Sequence, residues 1–247
     1  MTIDEVTGDE ILDWVLPNFK FNGWGLPSHG IAKDDCGTYG MKACLNVDEH
    51  PDGLAVFKPY MKSCFSPKCP TCWNSWAKRE ANRIERRILH AMKKHPHCGL
   101  PIHFMLSVPK SQWHLSVAEL RKIAISICIK VGFRGGSLIV HPFRETDDGR
   151  WYVSVHFHMI GFGWIECVAD EYKSSGWIAK NLGIRKSVFG TAYYQLTHCG
   201  VWYGVGVKHS VTWFGDLAYN KLPMPSKINE KCCCPYCGSK IRPVVWI

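Results

Sequence analysis

Apolar and polar positions alternate most clearly between Trp151 and Gly163, where Val153, Val155, Phe157 and Met159 share one parity and His156 and His158 share the other. Side chains point to opposite faces along a strand. The run therefore predicts a strand with an apolar row on one face and two imidazoles on the other, about 7 Å apart at Cα. From Asn74 to His95 the period changes to that of a helix. Trp76, Ala77, Ala81, Ile84, Ile88, Ala91 and Met92 form a stripe, basic residues cover the rest, and Pro96 ends the element. Ile102 to Val108 alternates as a strand closed by Pro109. Ser116 to Glu119 has the form of a capping box, predicting a helix to about Val131 that Gly132 stops. Ser137 to His141 reads as a second strand. Pro142 to Arg150, rich in Asp and Gly, reads as a hairpin loop from which the histidine strand returns. Beyond an apolar segment at Trp177, Ile178, Leu182 and Ile184, a short helix is expected from about Thr191 to Cys199. A strand follows over Val211 to Phe214, a turn at Gly215, and an extended piece from Leu217 to Leu222. At the other end, Asp9 to Leu16 suggests a short acidic helix ending before Pro17. The expected fold class is α+β, a central antiparallel sheet with helices on one face.

Composition sharpens this in two ways. The chain has 247 residues and a net charge of +9, which favours a polyanionic partner such as nucleic acid. No apolar run approaches the roughly 20 residues of a membrane span, and the acidic N-terminus lacks the look of a secretory signal. No membrane association and a cytoplasmic location are therefore expected. The thirteen cysteines are odd in number and clustered, which points to thiolates holding metal in a reducing compartment more than to disulfides. Cys64, Cys69 and Cys72 have C-x4-C-x2-C spacing around Pro67 and Pro70, and Cys36, Cys44 and His50 are candidates for a fourth ligand. The Cys234-Pro-Tyr-Cys237-Gly segment is a zinc knuckle, half a site in need of a second pair. One or two structural zinc ions are expected, while Cys98, Cys128, Cys167 and Cys199 read as ordinary small core residues. Residues 1–73 then form an N-terminal arm and Cys-rich module, 74–225 a core, and 226–247 a zinc-knuckle tail.

His156 and His158 on one strand can hold a divalent metal if a third ligand reaches them from a neighbour. His141 and Glu145 are the candidates; the plain alternative is two unrelated histidines on a half-buried sheet. The helix face with Arg79, Arg83 and Arg87 can follow a phosphate backbone, or can simply be solvated.

Taken in order, four segments resemble the motifs of HUH endonucleases: His103 to Pro109, His141-Pro142-Phe143-Arg144, His156-Phe157-His158, and Tyr194-Gln195-Leu196-Thr197-His198. Within that superfamily the chain looks most like the rolling-circle replication initiators of archaeal plasmids and viruses. The cysteine cluster running into Trp76 to Ala81 and the closing Trp213-Phe214-Gly215 share in that likeness. The resemblance implies an HUH, ferredoxin-like nuclease fold. It also implies magnesium or manganese held by His156 and His158, for which His141 is the expected third ligand, and a tyrosine that attacks a phosphodiester of single-stranded or melted origin DNA to leave a 5′-phosphotyrosine link. Tyr194 is the expected nucleophile and His198, four residues on, its orienting or activating partner. Tyr193 and Tyr219 are the alternatives. Arg79, Arg83, Arg87 and Arg144 are the expected DNA contacts, and a host helicase and polymerase the expected partners, since the chain has no phosphate-binding G-x-x-x-x-G-K loop. A transposase or relaxase would share this chemistry; a non-catalytic, zinc-stabilised nucleic-acid-binding module would not.

Overall fold

The computed structural model describes residues 14–15, 19–225 and 233–244. Its centre is an antiparallel sheet of five strands, β5 (Ile102–Ser107), β6 (Phe133–Glu145), β7 (Trp151–Gly163), β8 (Ile178–Ile184) and β10 (Val211–Gly215). They lie in the order β10-β6-β7-β5-β8, and a two-residue strand β1 (Trp14–Val15) pairs with Trp151 and Tyr152 of β7. The dominant feature is the β6–β7 hairpin. It is longer than the sequence suggested, because β6 runs on through Pro142 to Glu145 and the loop shrinks to the turn closed by the Thr146 amide on the Arg150 carbonyl. Pro142 has no N–H to give to a ladder, and the pairing register shifts between His141 and Phe143 to absorb it.

Helices flank the sheet on both faces, not on one. Helix α2 (Val117–Lys130), whose Ser116 and Glu119 complete the predicted capping box, buries Leu120, Ala124, Ile127 and Cys128. They pack against Phe104, Leu106, Leu138, Val140, Phe157 and Met159, and a short helix α3 (Val168–Ser175) brings Val168 to the same side. The opposite parity of the same strands, Ile139, Ile160 and Phe162, is covered by α1 (Trp73–Lys94) and α4 (Val188–Thr197). Both parities of β6 and β7 are apolar over part of their length, which is the mark of a sheet buried twice. The two outer helices are tied together by polar contacts: Glu85 of α1 accepts from the Phe189 amide, and the Tyr193 hydroxyl bonds Asn74 at 3.1 Å.

Smaller sheets complete the fold. β3 (Tyr39–Cys44) and β4 (Val56–Met61) form a hairpin to which β11 (Arg242–Val244) adds a third antiparallel strand, pairing Arg242 with Ala43. β2 (Trp24–Gly25) pairs with β9 (Val201–Trp202), and this seats Trp24 in the α2-side core. Two expectations fail. Trp14 and Val15 are strand residues, so the suggested Asp9–Leu16 helix does not hold there, and its remaining residues lie outside those described. Leu217 to Leu222 is not extended: the Ala218 amide bonds the Gly215 carbonyl, and the Lys221 and Leu222 amides bond that of Ala218, winding the segment into consecutive turns.

Candidate metal centre

The antiparallel register brings the histidines together. His141 lies opposite His156 and Ile139 opposite His158, while β5 places Ser107 opposite His156 and Met105 opposite His158. His141, His156 and His158 each offer a ring nitrogen within 4.8 Å of the others. All three rings are buried, and burial is the first reason each is held neutral: His156 is depressed to about 3, and His141 and His158 lie well below the ordinary imidazole value. Neutral imidazole is the form that ligates metal. His156 Nδ1 donates to the Ser154 carbonyl at 2.6 Å, leaving Nε2 with its lone pair. His158 Nδ1 lies 2.7 Å from His103 Nε2, a contact that sets its ring plane; His158 Nε2 has a lone pair to offer when Nδ1 carries the ring proton. His141 is fully buried, and neither of its nitrogens has a hydrogen-bond partner among the described residues. A buried polar atom left unpaired costs on the order of 1–3 kcal/mol, so this ring calls for a ligand. Three such donors fit a divalent ion that accepts imidazole, such as manganese or zinc, better than magnesium, which prefers oxygen. Glu145, the alternative third ligand, pairs with Trp151 at the far end of the hairpin and is not among the grouped donors.

Helix α4 lies over this face. The His198 ring is 4.6 Å from that of His141, and the Tyr194 ring is 4.8 Å from that of His198, centroid to centroid. Thr197 Oγ1 donates to the Tyr194 carbonyl at 2.7 Å and lies 3.2 Å from His198 Nδ1. His198 must then donate from Nδ1, leaving Nε2 as its basic nitrogen. Burial depresses His198 to about 4, so it is neutral at pH 7. Tyr194 is 67% exposed and Tyr219 70%, the latter over Arg87 in a separate cleft, while Tyr193 is stacked on Phe189.

Beyond the histidines, toward the β6–β7 turn, the sheet carries Arg144 and Ser154. There Arg144 donates to Ser154 Oγ at 3.0 Å and Ser107 Oγ at 2.9 Å, which places a guanidinium beside His156, and Lys180 of the edge strand lies opposite Met105. The other arginines singled out from the sequence divide. Arg83 is exposed and pairs with Glu80 at 2.7 Å. Arg79 stacks on Phe65 at 4.5 Å and braces the cysteine loop. Arg87 is not on a solvent-facing helix surface: it is buried and donates to the carbonyls of Leu217, Ala218 and Leu222 at 2.8, 3.0 and 2.7 Å.

The cysteines resolve into two groups. Cys36 joins Cys64, Cys69 and Cys72, and Cys44 and His50 join Cys234 and Cys237; the donor atoms of each group lie within 4.8 Å of one another. Neighbouring sulfurs of a tetrahedral zinc site with 2.3 Å bonds stand about 3.8 Å apart. Cys44 and Cys237 Sγ are 3.6 Å apart, and Cys234 Sγ is 3.3 Å from His50 Nε2, while His50 Nδ1 turns to the Leu54 carbonyl at 2.6 Å. That is the arrangement of a ligating histidine with its other nitrogen held. The all-cysteine group sits at the start of α1, where Cys69 and Cys72 also accept the amides of Trp73 and Trp76. Of the cysteines expected in the core, Cys128 and Cys199 are fully buried, Cys98 is part-exposed and Cys167 is exposed.

His103, Gln195 and Arg185 were not singled out as site residues. Gln195 Nε2 lies 2.9 Å from His103 Nε2, and Arg185 Nη2 lies 3.1 Å from its Nδ1, so a buried polar chain stands behind His158. His103 and Gln195 lie in two of the four segments singled out above, and the parity of His103 with Met105 and Ser107 on β5 is informative only once the β5–β7 register is known. No protein-family model, curated protein or solved structure matches this chain significantly.

Proposed function

We propose that this protein is a metal-dependent single-strand DNA endonuclease and strand transferase of the HUH type, acting as a rolling-circle replication initiator. The observation that carries the reading is the unbroken line of rings from exposed Tyr194 through His198 to the buried trio His141, His156 and His158. The strand order supports it as well. In the unit β5-α2-β6-β7-α3-β8, the fourth strand lies beside the first, then the third, then the second, as in a ferredoxin-like sheet.

Three neutral imidazoles would hold the ion, and when bound it would supply a Lewis acid that neutralises phosphate charge. The chain's own residues do the rest. Arg144, beside His156, would contact a phosphate oxygen, and its bonds to Ser107 and Ser154 hold the guanidinium in advance. His198 Nε2 accepts the phenolic proton as Tyr194 Oη forms its bond to phosphorus. The bond from phosphorus to the 3′ oxygen breaks, and that oxygen leaves as a hydroxyl after taking a proton. Reversal of these steps rejoins strands, and the free 3′-hydroxyl is the end a host polymerase would extend. Transposases and relaxases of the same chemistry differ in the DNA they select and not in this step.

The test is incubation of the protein with manganese and a pool of single-stranded oligonucleotides, followed by mass spectrometry of tyrosine-containing peptides. A nucleotide adduct on Tyr194, lost in Tyr194→Phe and in His156→Ala/His158→Ala while DNA binding persists, is the expected result. An adduct on Tyr219 or Tyr193 would move the nucleophile. Complete absence of adduct from folded, metal-loaded protein would leave the non-catalytic nucleic-acid-binding reading in its place.

A further inference from the structure

On the far side of α1 from its contact with α4, the helix and the segment 207–225 enclose a cleft of about 550 Å³ that includes none of the histidines of the metal centre. Its composition is unusual for a surface depression. Arg83 and Arg86 come from the helix, Lys208 from the loop after β9, and Trp213 and Tyr219 from β10 and the turns that follow; Glu80, the one carboxylate of the lining, is already paired with Arg83. The floor is built rigidly. Arg87 is clamped by three backbone carbonyls and lies 5.0 Å from the Trp213 ring centre and 4.7 Å from that of Tyr219. The cleft thus brings two large aromatic rings together with Arg86, Arg87 and Lys208 and one ion pair, Arg83 with Glu80. Planar rings and excess positive charge together suit a ligand with a flat base and an anionic link, and the volume is that of a ligand pocket.

We infer that this cleft binds a nucleotide of single-stranded nucleic acid, as a second station on the strand, separate from the metal centre. The inference rests on the nuclease reading only for the role of that station, which is to hold the flank of the strand being cut; the binding itself does not require catalysis. Lys208, 3.6 Å above the Trp202 ring, extends the cationic lining toward the exposed loop tip at Val205 and Val207 and marks one way along which a strand would leave.

The test is fluorescence anisotropy with labelled (dT)20 in buffer without added divalent metal, across a salt series, comparing wild type, Arg86→Glu/Lys208→Glu and His156→Ala/His158→Ala. Each phosphate contact on a single strand contributes about 0.7 to the slope of log affinity against log salt. The charge-reversed variant should therefore bind at least tenfold more weakly, with a slope smaller by about 1.4, and circular dichroism should show it folded. Unlabelled dTMP should compete far less well than unlabelled (dT)20. Equal affinity and slope in wild type and Arg86→Glu/Lys208→Glu would overturn the proposal, and so would dTMP competing as well as the strand. Failure of the nuclease reading looks different: no tyrosine adduct forms, while the charge-reversed variant still loses (dT)20.

Discussion

Acidification should destabilise this protein steeply, because its central sheet encloses imidazoles that burial keeps neutral. His156 is depressed to about 3 and His103 to about 4, and His141 and His158 lie well below their ordinary value. In the unfolded chain each titrates near 6.5. Below that pH the unfolded state binds protons that the folded state refuses, so stability is complete above about 6.5 and falls as pH drops toward the folded values. One such histidine costs about 1.4 kcal/mol by pH 5.5 and about 1.4 kcal/mol more for each further unit until its folded value is reached. For the four sheet histidines together the loss at pH 5.5 is about 6 kcal/mol, a large part of the 5–15 kcal/mol that holds a typical domain. Urea unfolding followed by circular dichroism at pH 7.5, 6.5, 6.0 and 5.5 measures the slope. His141→Asn isolates the cause, since it removes one fully buried titrating ring and should lower the slope below pH 6.5 by about one proton. Manganese should shift the acid transition of the wild type to lower pH and do less for this variant. A stability that stays flat from pH 7.5 to 5.5, or a slope unchanged in His141→Asn, would refute the reasoning.

Three further outcomes follow from other parts of the fold. Plasma mass spectrometry of protein purified without chelator should find one zinc ion per chain fewer in Cys237→Ser than in wild type; equal zinc content in the two would mean the Cys44–Cys237 group is not a site. Arg87→Met keeps the apolar stem but leaves the carbonyls of Leu217, Ala218 and Leu222 without their donor, and it should cost about 3 kcal/mol, or some 6–12 °C in melting temperature. Gly161→Ala would drive a Cβ into the Gly135 carbonyl oxygen across the β6–β7 ladder, so a loss of about 1–3 kcal/mol in urea unfolding is expected, with a neutral result excluding so close an approach of the two strands.

Local signals in the sequence were the ones most readily read. β7 was legible over its full length because its parity pattern is unbroken, α1 because its stripe is regular and ends at Pro96, and the start of α2 because Ser116 and Glu119 cap each other. What escaped depends on pairing between distant residues. That His50 belongs with Cys44, Cys234 and Cys237 while Cys36 joins Cys64, Cys69 and Cys72 has no trace in spacing; it arises from β11 pairing with β3. Helices on both faces were missed because attention to the histidine parity of β7 overlooked its continuation into Ile160 and Phe162, and the matching Ile139 on β6. Arg87 looked like its exposed neighbours because a helix stripe shows which face is apolar, but not which cation the next segment will fold over.

The third strand of the small β3-β4-β11 sheet and two of its four soft donors lie nearly two hundred residues beyond the first two strands, with Cys44 and Cys237 separated by 193 positions. As the polypeptide emerges from the ribosome, the early hairpin must wait with an open edge and two uncapped ligands while the central sheet and its helices are made. Its closure is thus a late event, after every strand of the central sheet has been made.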